Sequence, residues 1–93
     1  MRIARIEGSV TLSRGHESFV GCRLRLATPL SLEELRTAAE PAGETQVVWD
    51  ELGAGTGSLI AFSEGAEAAQ PFRPNLKPVD AYCAAILDDI HLT

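Results

Sequence analysis

Cysteine is scarce in this sequence, with two in 93 residues, Cys22 and Cys83, far apart and forming no C-x-x-C pair. That spacing excludes a disulfide framework and a Cys-rich zinc module, and reads as two small buried thiols in a reducing compartment. Histidine is equally sparse: His16 falls in a turn-like stretch and His91 close to the last residue. With no clustered ligands, no metal site and no catalytic base suggest themselves. Basic residues are too few and too dispersed for nucleic acid, since Asp plus Glu outnumber Lys plus Arg by 13 to 8. A phosphate backbone needs a basic stripe that can displace its counterions. No apolar run approaches the roughly 20 residues that cross a bilayer. The opening Met1-Arg2-Ile3-Ala4-Arg5-Ile6-Glu7 turns polar too soon for a secretory signal, so a cytoplasmic protein is expected. The five aromatics are scattered along the chain and offer no stacking platform for bases or sugars, which leaves Trp49 as a core or interface anchor.

What is present is a period of two. Ala4, Ile6, Gly8, Val10 and Leu12 alternate with polar residues, which predicts a strand with one buried face. Arg14 to Ser18 breaks the pattern as a turn. Val20, Cys22, Leu24 and Leu26 are then expected to face inward, with Arg23 and Arg25 outward, until Pro29 ends a second strand. Ser31 and Glu34 have capping-box spacing ahead of Arg36-Thr37-Ala38-Ala39, so the segment before Pro41-Ala42-Gly43 is either one or two helical turns or a polar excursion. Gln46–Trp49 and Ser58–Phe62 are β-rich runs, Glu64–Ala69 suits a single helical turn, and Pro71, Pro74 and Pro78 stiffen an irregular loop. Ala81–Leu87 is apolar under either parity; a helix is open by composition, and the short length after Pro78 favours a strand covered on both sides. The fold class expected is all-β: a single domain over residues 1–93, built as a small five-stranded antiparallel barrel of OB type with one or two short helical turns. A chain this short buries only about 60–65% of the surface it exposes when unfolded, so association with copies of itself is an ordinary remedy.

Catalytic chemistry finds no constellation. Gly53-Ala54-Gly55-Thr56-Gly57 looks like a phosphate cradle, but a strand-like run follows it and no Gly-Lys-Ser/Thr is present. Dinucleotide sites need a helix at that point, so a tight backbone turn is the reading. Asp88 and Asp89 adjoin and point to opposite faces of a strand, so they cannot act as a carboxylate pair. Cys22, on the inward face, should be inert.

Four strings in order resemble the EutN/CcmL family of bacterial microcompartment vertex proteins. They are Met1–Ile6 with Gly8–Thr11, Val20–Leu24 with Pro29-Leu30, Val47–Gly57, and Pro78–Ala81 with Ala84–Asp88. The third is similar to the family's aspartate-x-hydrophobic-Gly-Ala-Gly-x-Gly segment, and the correspondence spans residues 1 to about 89. Two departures mark a divergent member: Ala69 stands where the family usually has an arginine, and the Ser31–Gly43 excursion is long. The resemblance implies a non-enzymatic building block without cofactors. It would assemble as a cyclic homopentamer, cap the corners of a polyhedral shell in the bacterial cytoplasm, and meet hexameric shell proteins. Five-fold rings supply the curvature that a flat hexamer sheet lacks. Gly53, Ala54, Gly55, Thr56 and Gly57 would then lie near the five-fold axis, with Tyr82, Ala84 and Ile86 in the subunit interface. Two other classes stay open beside it. One is a monomeric OB-like module that holds an oligosaccharide, a peptide or another small ligand. The other is a small enzyme whose site, using His16 or Cys83, assembles between subunits.

Overall fold

The computed structural model describes residues 1–15, 17–19, 21–74 and 79–92. His16, Val20 and Pro78, each given a place in the reading above, lie outside the described residues. Five strands close into a barrel in the order β1-β2-β3-β5-β4. They are β1 (Arg2–Val10), β2 (Leu24–Pro29), β3 (Gln46–Trp49), β4 (Leu59–Glu64) and β5 (Ala81–Leu87). A short helix α1 (Leu32–Thr37) joins β2 to β3, and 3-10 turns cover Glu17–Phe19 and Gly65–Phe72. Four of the pairings are antiparallel, as expected. The fifth, between β3 and β5, is parallel and consists of the single pair Trp49–Tyr82. An all-antiparallel barrel is corrected to that extent, because closing five strands in this order brings two strands of like direction together.

The interior is narrow and is filled by small residues around a few large ones. Ala4, Ile6, Ala27, Val48, Ala54, Ile60, Phe62, Ala81 and Cys83 form the core cluster, and Phe62 is its largest fully buried side chain. A five-stranded barrel leaves little internal volume, which suits alanine and cysteine at the crowded positions.

A bulge in β1 and the phase of β2 overturn the face assignments made from alternation. The pairing of β1 with β2 shifts between Ile6 and Gly8. Ala4 and Ile6 therefore face inward, whereas Gly8 and Val10 pair with Leu26 and Leu24 on the other side. Along β2 and β3, Ala27 and Val48 lie in the core, and Val48 pairs with Arg25. Directly opposed residues share a face. Arg25 thus lies on the inner side, and Leu24 and Leu26, paired with Trp49 and Val47, lie on the outer one. Cys22, expected inside, precedes the strand and is half-buried. A one-residue slip reverses every following side chain, and alternation alone cannot show where the slip occurs.

The outer face is not bare at Trp49. Phe19 packs on its ring at 5.6 Å between centroids, Phe72 at 5.0 Å, and Tyr82 on Phe72 at 5.4 Å. Four aromatics that are scattered in the sequence therefore meet in one stack, which corrects the expectation of isolated rings. The stack is a cover for the barrel wall rather than an open groove, since Trp49 is only 6% exposed.

Candidate functional site

The segment from Asp50 to Ser58 leaves the end of β3 and crosses one mouth of the barrel to reach β4. Asp50 continues the β3 ladder, its N–H donating to the Arg23 carbonyl at 2.9 Å. Its side chain falls on the inner side with Arg25 and Val48 and is fully buried. There the carboxylate gathers the turn that follows. Oδ1 accepts from the N–H groups of Leu52 and Gly53 at 2.9 and 3.1 Å, and Oδ2 accepts from Ala54 N–H at 2.7 Å. The Arg25 guanidinium donates to Oδ2 at 3.1 Å and to Ser9 Oγ at 2.6 Å. Burial pushes the Asp50 carboxyl up, but the three N–H groups and Arg25 outweigh it and hold it below the ordinary carboxylate range.

That knot fixes the glycine segment. Gly53 and Gly57 have φ of +84° and +90°, conformations that a side chain resists. Ala54, between them, drops into the barrel mouth at 1% exposure and joins the core cluster as its stopper. The far end is tied to β1: Gly57 N–H donates to the Ile6 carbonyl at 2.8 Å and Ile6 N–H donates to Ser58 at 2.9 Å. Gly55 and Thr56 stay exposed at the tip. No helix follows, so the segment is a backbone turn and not a phosphate cradle, in line with the sequence reading.

The three β5 residues expected at an interface fall in different settings. Tyr82 packs against Phe72 and donates from its hydroxyl to Glu51 Oε1 at 2.8 Å. Burial and that carboxylate push its pKa up to about 12, so it remains a donor across the accessible pH range. Ala84 is exposed and lies where the register with β4 shifts, between the pairs Cys83–Phe62 and Ala85–Ala61. Ile86 pairs with the core residue Ile60 and yet is 44% exposed. Between them Cys83 is buried, and its thiol is pushed up to about 11, mainly by burial and then by the Asp50 charge. A thiol in that state is a packing residue rather than a nucleophile. Ala69, at the position of the family's arginine, sits half-buried in the 3-10 turn after β4.

Sequence reasoning missed Asp50 and Arg25 as the pair that organises this end. A signal was available for the first, because an aspartate just before a glycine-rich turn can accept from the N–H groups that follow it. Arg25 was hidden by its assignment to the outer face.

Comparison with known proteins shows the family. Residues 1–88 match the model of the family described as ethanolamine utilisation protein EutN/carboxysome. The carboxysome shell vertex protein CcmL of Gloeobacter violaceus is 32% identical over 90 residues, covering 97% of this chain and 85% of that protein. The microcompartment shell vertex protein EutN of Salmonella typhimurium is 29% identical, covering 97% and 86%. Among solved structures, the GrpN pentameric microcompartment shell protein of Rhodospirillum rubrum superposes with a TM-score of 0.82 at 29% identity, covering all of both chains. The G. violaceus CcmL structure gives a TM-score of 0.85 at 30% identity over 99% of this chain and 90% of that one. With a family match over nearly its whole length and the same closed barrel, this chain belongs to the EutN/CcmL family of microcompartment shell vertex proteins.

Proposed function

We propose that this chain, acting as one domain over residues 1–93, is a structural subunit that forms a homopentamer and caps the vertices of a bacterial microcompartment shell. The observation that carries the reading is the end-to-end superposition on a pentameric shell protein, with no part of either chain left over. The partners are four further copies of itself and, around the ring, the hexameric proteins of the shell faces, in the bacterial cytoplasm. Its work is geometric rather than enzymatic, because closure at five subunits introduces the curvature that hexamers cannot. In this reading the tip of the Gly53–Gly57 segment lies near the five-fold axis, and Tyr82, Ala84 and Ile86 belong to the subunit contact.

Gly55 supports that placement. It lacks the positive φ that accounts for Gly53 and Gly57, and a Cβ built on it meets nothing within 4 Å. Nothing inside the subunit requires a glycine there, whereas close approach of neighbouring backbones would. Native mass spectrometry at micromolar protein tests both statements. The wild type should give a dominant five-subunit species, and a monomer that persists when a hexameric shell protein is added would overturn the vertex reading. Gly55→Leu should fold as the wild type does but weaken the ring; an unchanged pentamer of wild-type stability would remove the loop from the axis.

A further inference from the structure

β5 has a partner on one side only for most of its length. It pairs with β4 from Ala81 to Leu87, but β3 reaches it at Tyr82 alone. Among the described residues, Ala84–Leu87 have no ladder partner other than β4, and no turn or loop backbone group bonds to them. In an antiparallel ladder, alternate residues direct their N–H and C=O groups away from the paired strand. The barrel is therefore closed at one end of this seam and leaves a short free edge at the other. The bulge at Ala84 coincides with the point where β3 and β5 part.

Apart from its short length and the bulge at Ala84, the edge carries no residue that would blunt it. Ala84-Ala85-Ile86-Leu87 contains no lysine, proline or inward charge, and the first ionised residue is Asp88. Ala84 and Ile86 are also exposed, so unpaired backbone and exposed apolar side chains coincide. An edge of that kind is a template for another strand.

We propose that the Ala84–Leu87 edge of β5 pairs through its backbone with a neighbouring copy of this chain, so that the ring is joined by main-chain hydrogen bonds as well as by side chains. The inference rests on the homopentamer reading and specifies the contact within it. A second copy is the occupant because the edge is uncharged and apolar and because the structural relative matched over its full length is itself pentameric. Ring closure then satisfies polar groups that the isolated barrel leaves to water.

Residue-resolved amide hydrogen exchange on the native protein, with the oligomeric state followed by native mass spectrometry, tests it. In the pentamer all amides from Ala84 to Leu87 should be protected, the open-side ones by at least about a hundredfold relative to exposed loop amides such as those of 43–45. A pentamer in which protection still alternates along these residues, with open-side amides exchanging like the loop, would overturn the backbone pairing and leave the ring reading standing. A protein that remains monomeric beside hexameric shell protein would overturn both.

Discussion

At the scale of single residues, one buried carboxylate holds more of this structure than any other polar group described. Asp50 accepts three backbone N–H groups and the Arg25 guanidinium with no exposed oxygen. Asparagine is nearly isosteric, but it offers a single carbonyl oxygen and brings an NH2 that faces donors. Asp50→Asn should therefore cost about 3 kcal/mol, read as a lowered chemical-denaturation midpoint. The pH dependence follows from the depressed carboxyl pKa. The stabilisation is present above the ordinary carboxylate value, and it is lost as pH falls through the lower value of the folded state. Wild-type stability should thus decline below about pH 4, and Asp50→Asn should flatten that decline. Some acid sensitivity will persist in the variant. Glu34, held down by the N–H groups of Ser31 and Ala42, and Glu40, held down by Arg5, titrate in the same direction. An unchanged acid limb in the variant would show that the carboxylate is not the group that matters there.

Among elements, α1 is the one whose existence is set by local chemistry alone. It has six residues and no buried side chain, too short to persist without its ends satisfied. Ser31 Oγ accepts from Glu34 N–H at 3.1 Å, and Glu34 Oε1 accepts from Ser31 N–H at 2.8 Å. Its other oxygen takes the Ala42 N–H at 2.7 Å and so folds the whole excursion back on itself. Ser31→Ala should speed amide exchange across 31–42 by a local cost of about 1 kcal/mol, while exchange in β4 and β5 stays at the wild-type rate. Equal acceleration in the strands would mean that the excursion is part of the barrel's cooperative unit. The capping box was legible in the sequence because it depends on residues three apart. So were β3, read at its observed limits, β5 as a strand, and the glycine turn. The faces of β1 and β2 were not legible. Nothing in Ile6-Glu7-Gly8 announces the slip that turns Gly8 and Val10 outward. The alternation of β2, which runs without a slip, does not say which of its faces is the inner one, so Arg25 inside and Leu24 and Leu26 outside could not be read from it. The meeting of Phe19, Trp49, Phe72 and Tyr82 was equally invisible, being fixed by closure of the barrel rather than by spacing.

At the scale of the whole molecule, the ring and the fold should be thermodynamically linked. A small barrel with an apolar free edge is marginal alone, and a partner that binds only the folded form stabilises it by mass action. For a pentamer that dissociates as it unfolds, raising the protein concentration by about a hundredfold adds roughly 2 kcal/mol per chain. For a domain of this size that moves the thermal midpoint by about 10 °C. Ala84→Arg should abolish the dependence: the residue is exposed, so the barrel tolerates the side chain, but five buried guanidinium groups without partners would face one another's subunits. The expected result is a folded barrel by circular dichroism whose midpoint, lower than that of the concentrated wild type, does not move on dilution. A wild-type midpoint that is also independent of concentration would mean that each barrel carries its own stability, and that the ring is held together by geometry in the shell rather than by a need of the fold.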